Sequence, residues 1–200
     1  IVSAIGGQDS IAALAADILA NAPPRFALAG LSMGGIVAME VLRQAPDRIE
    51  RIALLDTNPL AEKDAVKARR GPQMETVRNG HLDRVMRDDM TPNYLARGSQ
   101  RRDLLDLCMQ MALALGPEVF LRQSRALMDR PDQSETLRQA ELPALVLCGR
   151  EDVPCPVERH ELMAGLIPGA RLEIIEDAGH LPVLEQPEAT NAALDRWLAA

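Results

Sequence analysis

Phe26-Ala27-Leu28-Ala29-Gly30-Leu31-Ser32-Met33-Gly34-Gly35 is the stretch from which the rest of the chain is read. Phe26 to Ala29 is a short apolar run, bounded upstream by Pro23-Pro24-Arg25, and it predicts a buried strand. Gly30-Leu31-Ser32-Met33-Gly34 fits the pattern G-x-S-x-G, which between a strand and a helix forms a nucleophile elbow. The serine then sits at the tip of a turn so tight that its backbone is strained. Glycine two residues before it and two after lets strand and helix approach without Cβ clashes. Met33 to Gln44 carries only two charged residues, Glu40 and Arg43, as a helix buried on most faces would. Pro46 stops that helix. The Met33 N–H opens it, where developing negative charge is stabilised.

Outward from this unit the chain alternates. Upstream, Asp9-Ser10 is an N-cap and Ser10 to Asn21 an alanine-rich helix. Downstream, Ile49 to Leu55 reads as a strand. Helix, strand, helix, strand implies right-handed crossovers and a parallel sheet. From 58 to 130 strand signals vanish and charge rises. The segment predicts helices broken at Gly71-Pro72, Asn79-Gly80, Thr91-Pro92 and Gly116-Pro117. Its length and place suggest a helical cap over the edge where the serine emerges. Leu104, Leu105, Leu107, Met109, Met111, Leu113 and Leu115 supply its apolar residues, most of them expected to pack in a core. After it come a short helix (Ser134 to Ala140), a strand (Pro143 to Cys148) and a helix from Pro156 to Leu166. The last strand spans Arg171 to Ile175, and the final helix runs from about Pro187 to Leu198. The expected domains are thus a core of 1–57 and 131–200 and a cap of 58–130.

Composition narrows the function classes. The chain has 200 residues and a formal net charge of −7, which argues against nucleic acid and anionic membranes as partners. An aromatic content of 2% leaves few platforms for stacking bases. No apolar run reaches the roughly 18 residues that a membrane span needs. Cys108, Cys148 and Cys155 have no metal-like spacing and read as reduced structural residues, consistent with a cytoplasmic protein.

A serine hydroxyl needs a base, and three histidines are available. His81 lies in a polar loop. His160, flanked by Arg159 and Glu161, reads as a surface residue. His180 follows the last strand in Ala178-Gly179-His180-Leu181-Pro182, at the same sheet edge as the elbow, and is the expected base. The carboxylate that orients it should also follow a strand. Asp152 does so, with Glu151 and Asp56 as rivals. Asp152 is preferred because Ser32, Asp152, His180 is the chain order of an elbow-type triad.

These stretches resemble the α/β-hydrolase superfamily. The resemblance rests on Ala29 to Gly35, on Ala45-Pro46-Asp47-Arg48-Ile49 leading to Leu54-Leu55-Asp56, on Gly149-Arg150-Glu151-Asp152 and on Ala178 to Glu188. It implies an α/β fold with a mostly parallel sheet, and a serine hydrolase with Ser32, Asp152 and His180 at the triad positions. The Met33 N–H is the expected oxyanion donor. Such a triad needs no metal or organic cofactor. One departure is that no strand with a His-Gly or Pro-Gly loop precedes the Ser10 helix, so the second oxyanion donor has no candidate. Without its usual neighbour the elbow strand would expose an edge. The expected explanation is an N-terminally incomplete version of a longer protein, the alternative a minimal form that pairs this edge in a homo-oligomer.

The expected activity is hydrolysis of an ester, thioester or related acyl bond of a small substrate. The same residues would also serve cleavage of a C–C bond, an amide or a lactone, or perhydrolysis. A non-catalytic binding protein on this fold is the reading from another class.

Overall fold

The computed structural model describes residues 1–200. Ser10 Oγ accepts the Ala13 N–H and caps helix α1 (Ile11–Asn21). Strand β1 (Phe26–Leu31) leads straight into helix α2 (Met33–Gln44), and a 3₁₀ turn at Pro46–Arg48 leads into strand β2 (Ile49–Leu55). The Arg48 guanidinium donates to the carbonyls of Leu19, Ala22 and Pro23, so it closes the C-terminus of α1. Five helices follow: α3 (Asp64–Arg78), α4 (Leu82–Val85), α5 (Arg102–Leu115), α6 (Pro117–Met128) and α7 (Ser134–Arg138). The chain then returns to strand β3 (Ala144–Gly149), helix α8 (Val157–Leu166), strand β4 (Arg171–Ile175), the short helix α9 (Pro182–Glu185) and helix α10 (Pro187–Ala199).

The four strands form one parallel sheet in the order β1-β2-β3-β4. Side chains alternate faces along each strand. Ile52, Leu54, Ala144 and Val146 enter one core with α1, α2, α7 and α8. Ala53, Leu55, Leu145 and Leu147 enter the other, with Ala193 and Trp197 of α10. Strand β3 is buried throughout, as expected with helices on both faces. Strand β1 lies at the sheet edge and leaves Ala27 and Ala29 exposed. No single helix is long and apolar enough to cross a membrane.

Three expectations need correction, two of them in the helical segment. Gly71-Pro72 does not break a helix, because α3 runs through Pro72. Both residues lie on the exposed side, while Met74 and Val77 anchor the helix from the other side. Burying that side outweighs one missing backbone hydrogen bond. The apolar residues of α5 are mostly not core: of those named above only Leu104 is buried, and Leu107, Met111, Leu113 and Leu115 are exposed. Helix α5 is an outer helix, and the small core of this region is built instead from Met74, Val77, Leu82, Val85, Met86 and Leu121. The short helix α9 was not foreseen; Pro182 at its start suits a first helical turn.

Leu54 is fully buried in the second strand of the sheet. Leu54→Ala is expected to cost about 2–5 kcal/mol, read as a lower urea midpoint at constant slope.

Candidate active site

Strand β1 runs two residues further than the apolar run suggested, and carries the chain up to Ser32. Ser32 has φ 53° and ψ −118°, a strained conformation for a residue with a Cβ. Four hydrogen bonds hold it there, one of them from the Gly35 N–H to the Ser32 carbonyl at 3.0 Å. The Ser32 N–H donates to the Leu55 carbonyl at 2.9 Å. The Ile36 N–H donates to the Ser32 carbonyl at 3.2 Å, and the Thr57 hydroxyl donates to the same oxygen at 2.7 Å. The glycines divide the work differently from the sequence expectation. A Cβ on Gly30 would lie 2.3 Å from the Gly34 carbonyl oxygen, so Gly30 is required by close approach. A Cβ on Gly34 would meet nothing, whereas one on Gly35 would strike the Thr57 side chain at 2.7 Å.

His180 follows β4 and Asp152 follows β3, at the strand ends where Ser32 also stands. His180 Nε2 lies 2.8 Å from Ser32 Oγ. Its Nδ1 lies 2.9 and 3.0 Å from the two oxygens of Asp152. A carboxylate can only accept, so Nδ1 carries the proton and Nε2 is left to accept from the serine hydroxyl. Asp152 is 4% exposed and His180 5%, so water competes little for these bonds. Asp152 Oδ1 also accepts the Cys155 N–H. Cys155 brings a thiol beside the pair, and one ligand atom from each of the three residues lies within 4.8 Å of the others, a spacing that a metal ion could close. Burial pushes the Cys155 thiol well above its ordinary pKa and favours a neutral thiol.

The rival residues take other positions. Glu151 accepts the Arg97 N–H and fastens the 58–130 segment instead. His81 is exposed at the start of α4. His160 is not a surface residue, as its charged neighbours suggested, but fully buried. On a helix Arg159 and Glu161 point about 100° to either side, so they say nothing of the face between them. His160 Nε2 accepts the Thr57 N–H at 3.0 Å, which places it one residue behind the elbow support. Burial pushes its pKa down to about 4, against the opposing pull of Asp152 and the Pro156 carbonyl.

Asp56 is fully buried, with φ 45°. Its Oδ1 accepts the Gly149 N–H at 2.9 Å, and its Oδ2 has no partner. Burial pushes its pKa up to about 9 against the pull of that N–H, and the neighbouring carboxylates of Asp152 and Glu185 add to the rise. A neutral Asp56 follows at pH 7.

The 58–130 segment reaches the site directly. The Tyr94 carbonyl accepts the His180 N–H at 2.8 Å, and the two rings lie 5.9 Å apart. A Cβ on Gly179 would lie 2.5 Å from the Leu95 carbonyl carbon, so this contact requires glycine. Ser32, Met33 and His180 open onto a cavity of about 560 Å³ that Met90, Tyr94 and Leu127 also line. Sequence reading had no signal for Tyr94 or His160 as neighbours of the site. Thr57 alone was within reach, because it follows β2 at the elbow edge.

The alpha/beta hydrolase family model matches residues 4–193. The chain belongs to the alpha/beta hydrolase family. Among family relatives, the pimeloyl-[acyl-carrier protein] methyl ester esterase of Aromatoleum aromaticum is 27% identical over 183 residues, covering 86% of this chain and 73% of that protein. The biotin biosynthesis bifunctional protein BioHC of Teredinibacter turnerae is 27% identical over 190 residues, which is 88% of this chain. This chain spans about a third of that protein's length, 33%. The structure of a thermophilic esterase from Thermogutta terrifontis, malate bound, superposes with a TM-score of 0.90 at 31% identity, over 98% of this chain and 75% of that one.

The two buried histidine and carboxyl groups set opposite pH limbs on stability. His160, with its pKa lowered from 6.5 to about 4, contributes stability that is present above pH 6.5 and lost as pH falls towards 4. Asp56, raised from 3.8 to about 9, contributes stability that is complete below pH 3.8 and lost as pH rises towards 9. Asp56→Asn is therefore expected to flatten the fall between pH 7 and 9, whose slope is at most about 1.4 kcal/mol per pH unit. Urea titrations at both pH values read it, and an unchanged slope would refute a protonated Asp56.

Proposed function

We propose that this chain is a serine hydrolase that cleaves a carboxylic ester, thioester or related acyl bond of a small substrate. The observation that carries the reading is the unbroken line of hydrogen bonds from Ser32 Oγ through His180 to Asp152. As Oγ attacks the carbonyl carbon, His180 Nε2 takes its proton, and Asp152 stabilises the imidazolium. The carbonyl oxygen becomes negative beside the Met33 N–H at the start of α2. The imidazolium then protonates the departing oxygen or sulfur. Water deprotonated by the same His180 releases the acid from Ser32. The names of the relatives, a pimeloyl-[acyl-carrier protein] methyl ester esterase and a thermophilic esterase, support the ester class.

We further infer that 58–130 acts as a cap. Its Tyr94 accepts the backbone N–H of His180, and its helices line the cavity onto which Ser32 opens. Closing the site from water strengthens every charge interaction inside it.

A fluorophosphonate probe, with the adduct mapped by mass spectrometry, is expected to label Ser32, and Ser32→Ala to abolish labelling. With a 4-nitrophenyl ester, Asp152→Asn is expected to lower kcat by about 10³–10⁴-fold, because Asn permits the wrong tautomer of His180. Glu151→Gln is expected to stay within about threefold of the parent, since Glu151 lies outside the hydrogen-bonded line. Equal losses in the two variants would overturn the assignment of Asp152.

A further inference from the structure

The cavity around Ser32 carries more positive charge than its own carboxylates balance. Its wall presents Lys63, Arg69, Arg70, Arg130 and Arg159 against Glu62 and Asp89. The whole chain has a formal net charge of −7, so this excess is local and opposite in sign to the molecule.

Two of the cations are built into the wall. Arg70 binds Glu62 through Nε and Nη2, and Arg130 binds the same carboxylate through Nη1 at 2.7 Å. The side chains of Arg70, Arg130 and Glu62 are only 15%, 8% and 3% exposed. One carboxylate between two guanidinium groups leaves a unit of positive charge in a largely desolvated place, which is costly unless another anion completes it. Burial pulls Arg130 below its ordinary pKa and the charge of Arg70 adds to this, against the pull of Glu62. Arg130 Nε is spent on the Leu60 carbonyl, but Nη1 of Arg70 and Nη2 of Arg130 have no acceptor in the protein. Around them Lys63, Arg69 and Arg159 form no ion pair. Asp89, the other carboxylate on the wall, accepts from Gln73.

We propose that the substrate carries an anionic group, a carboxylate or a phosphate, away from its scissile carbonyl, and that this group completes the Arg70–Glu62–Arg130 cluster, drawn in by Lys63, Arg69 and Arg159. The proposal rests on the hydrolase reading for its reaction and on the cluster for its specificity. The anion has two possible sources, the acyl part or the leaving group, and both bring it to the same wall.

Two substrate pairs separate the sources. Mono-4-nitrophenyl glutarate against 4-nitrophenyl pentanoate places the charge on the acyl side. S-acetyl-coenzyme A against S-acetyl-N-acetylcysteamine places it on the leaving group. In at least one pair, kcat/KM is expected to favour the anionic member by about tenfold at low salt. The ratio is expected to shrink severalfold at about 0.5 M NaCl and to approach unity in Arg69→Gln/Arg159→Gln, whose side chains are outside the buried cluster. Arg130→Gln leaves Glu62 with one partner, so its ratio is read beside its melting temperature. No anionic preference in either pair overturns the proposal. If no ester is turned over and Ser32 does not label, the hydrolase reading falls. Calorimetry of glutarate against glutaramide then decides the anion site by itself: binding of the diacid alone supports it, and equal or absent binding overturns it.

Discussion

Ser32 is held in a backbone conformation that it would not adopt alone, and the site depends on the contacts that hold it. The Thr57 hydroxyl and the Ile36 N–H share the Ser32 carbonyl, and the Leu55 carbonyl fixes the Ser32 N–H. Thr57 is fixed in turn by His160 behind it and by Gly35 packed against its side chain. The strain is therefore sustained by groups on α2, β2 and α8 together, which is how local strain persists in a folded chain. A hydroxyl carried on such a turn stands clear of the sheet while its backbone stays buried.

The carboxyl groups under the site show how burial assigns charge. Asp56 and Asp152 both follow strand ends in a buried region, but their partners differ. Asp152 faces the Nδ1–H of His180 and the Cys155 N–H, two donors that favour a carboxylate. Asp56 has one donor and an oxygen with no partner. Burial first, and then the neighbouring carboxyl groups of Asp152 and Glu185, raise the pKa of Asp56, which has a single donor to oppose them. His160, without a facing carboxylate in hydrogen-bond contact, is the neutral counterpart. Asp56 and His160 are thus both shifted towards the neutral form by burial.

The 58–130 segment joins the two halves of this picture. It builds a small apolar core of its own, yet its loop residues Tyr94, Ala96 and Arg97 bond to His180, Glu185 and Glu151. It also supplies Arg70 and Arg130, which meet over Glu62 in the cavity wall. Its exposed α5 side chains do neither, which accounts for an apolar run that was read as core and lies outside it.

The sequence by itself determined the alternation of elements, because apolar periodicity and Gly/Pro punctuation act within a few residues. Helix α2, strand β2 and strand β4 run as their patterns indicate; Ser32 and His180 became candidates because parallel strands send their C-terminal ends to one edge, whereas Asp152 was preferred to Asp56 and Glu151 only on the chain order of an elbow-type triad. Only the tertiary structure decided which face of α8 His160 would take, that Pro72 would stay within α3, that Gly35 rather than Gly34 needs to lack a side chain, and that two arginines 60 positions apart would share one glutamate. These depend on contacts between segments distant in sequence, and burial sets both their energy and their charge state. A single strand or helix pattern carries no record of what will be packed against it.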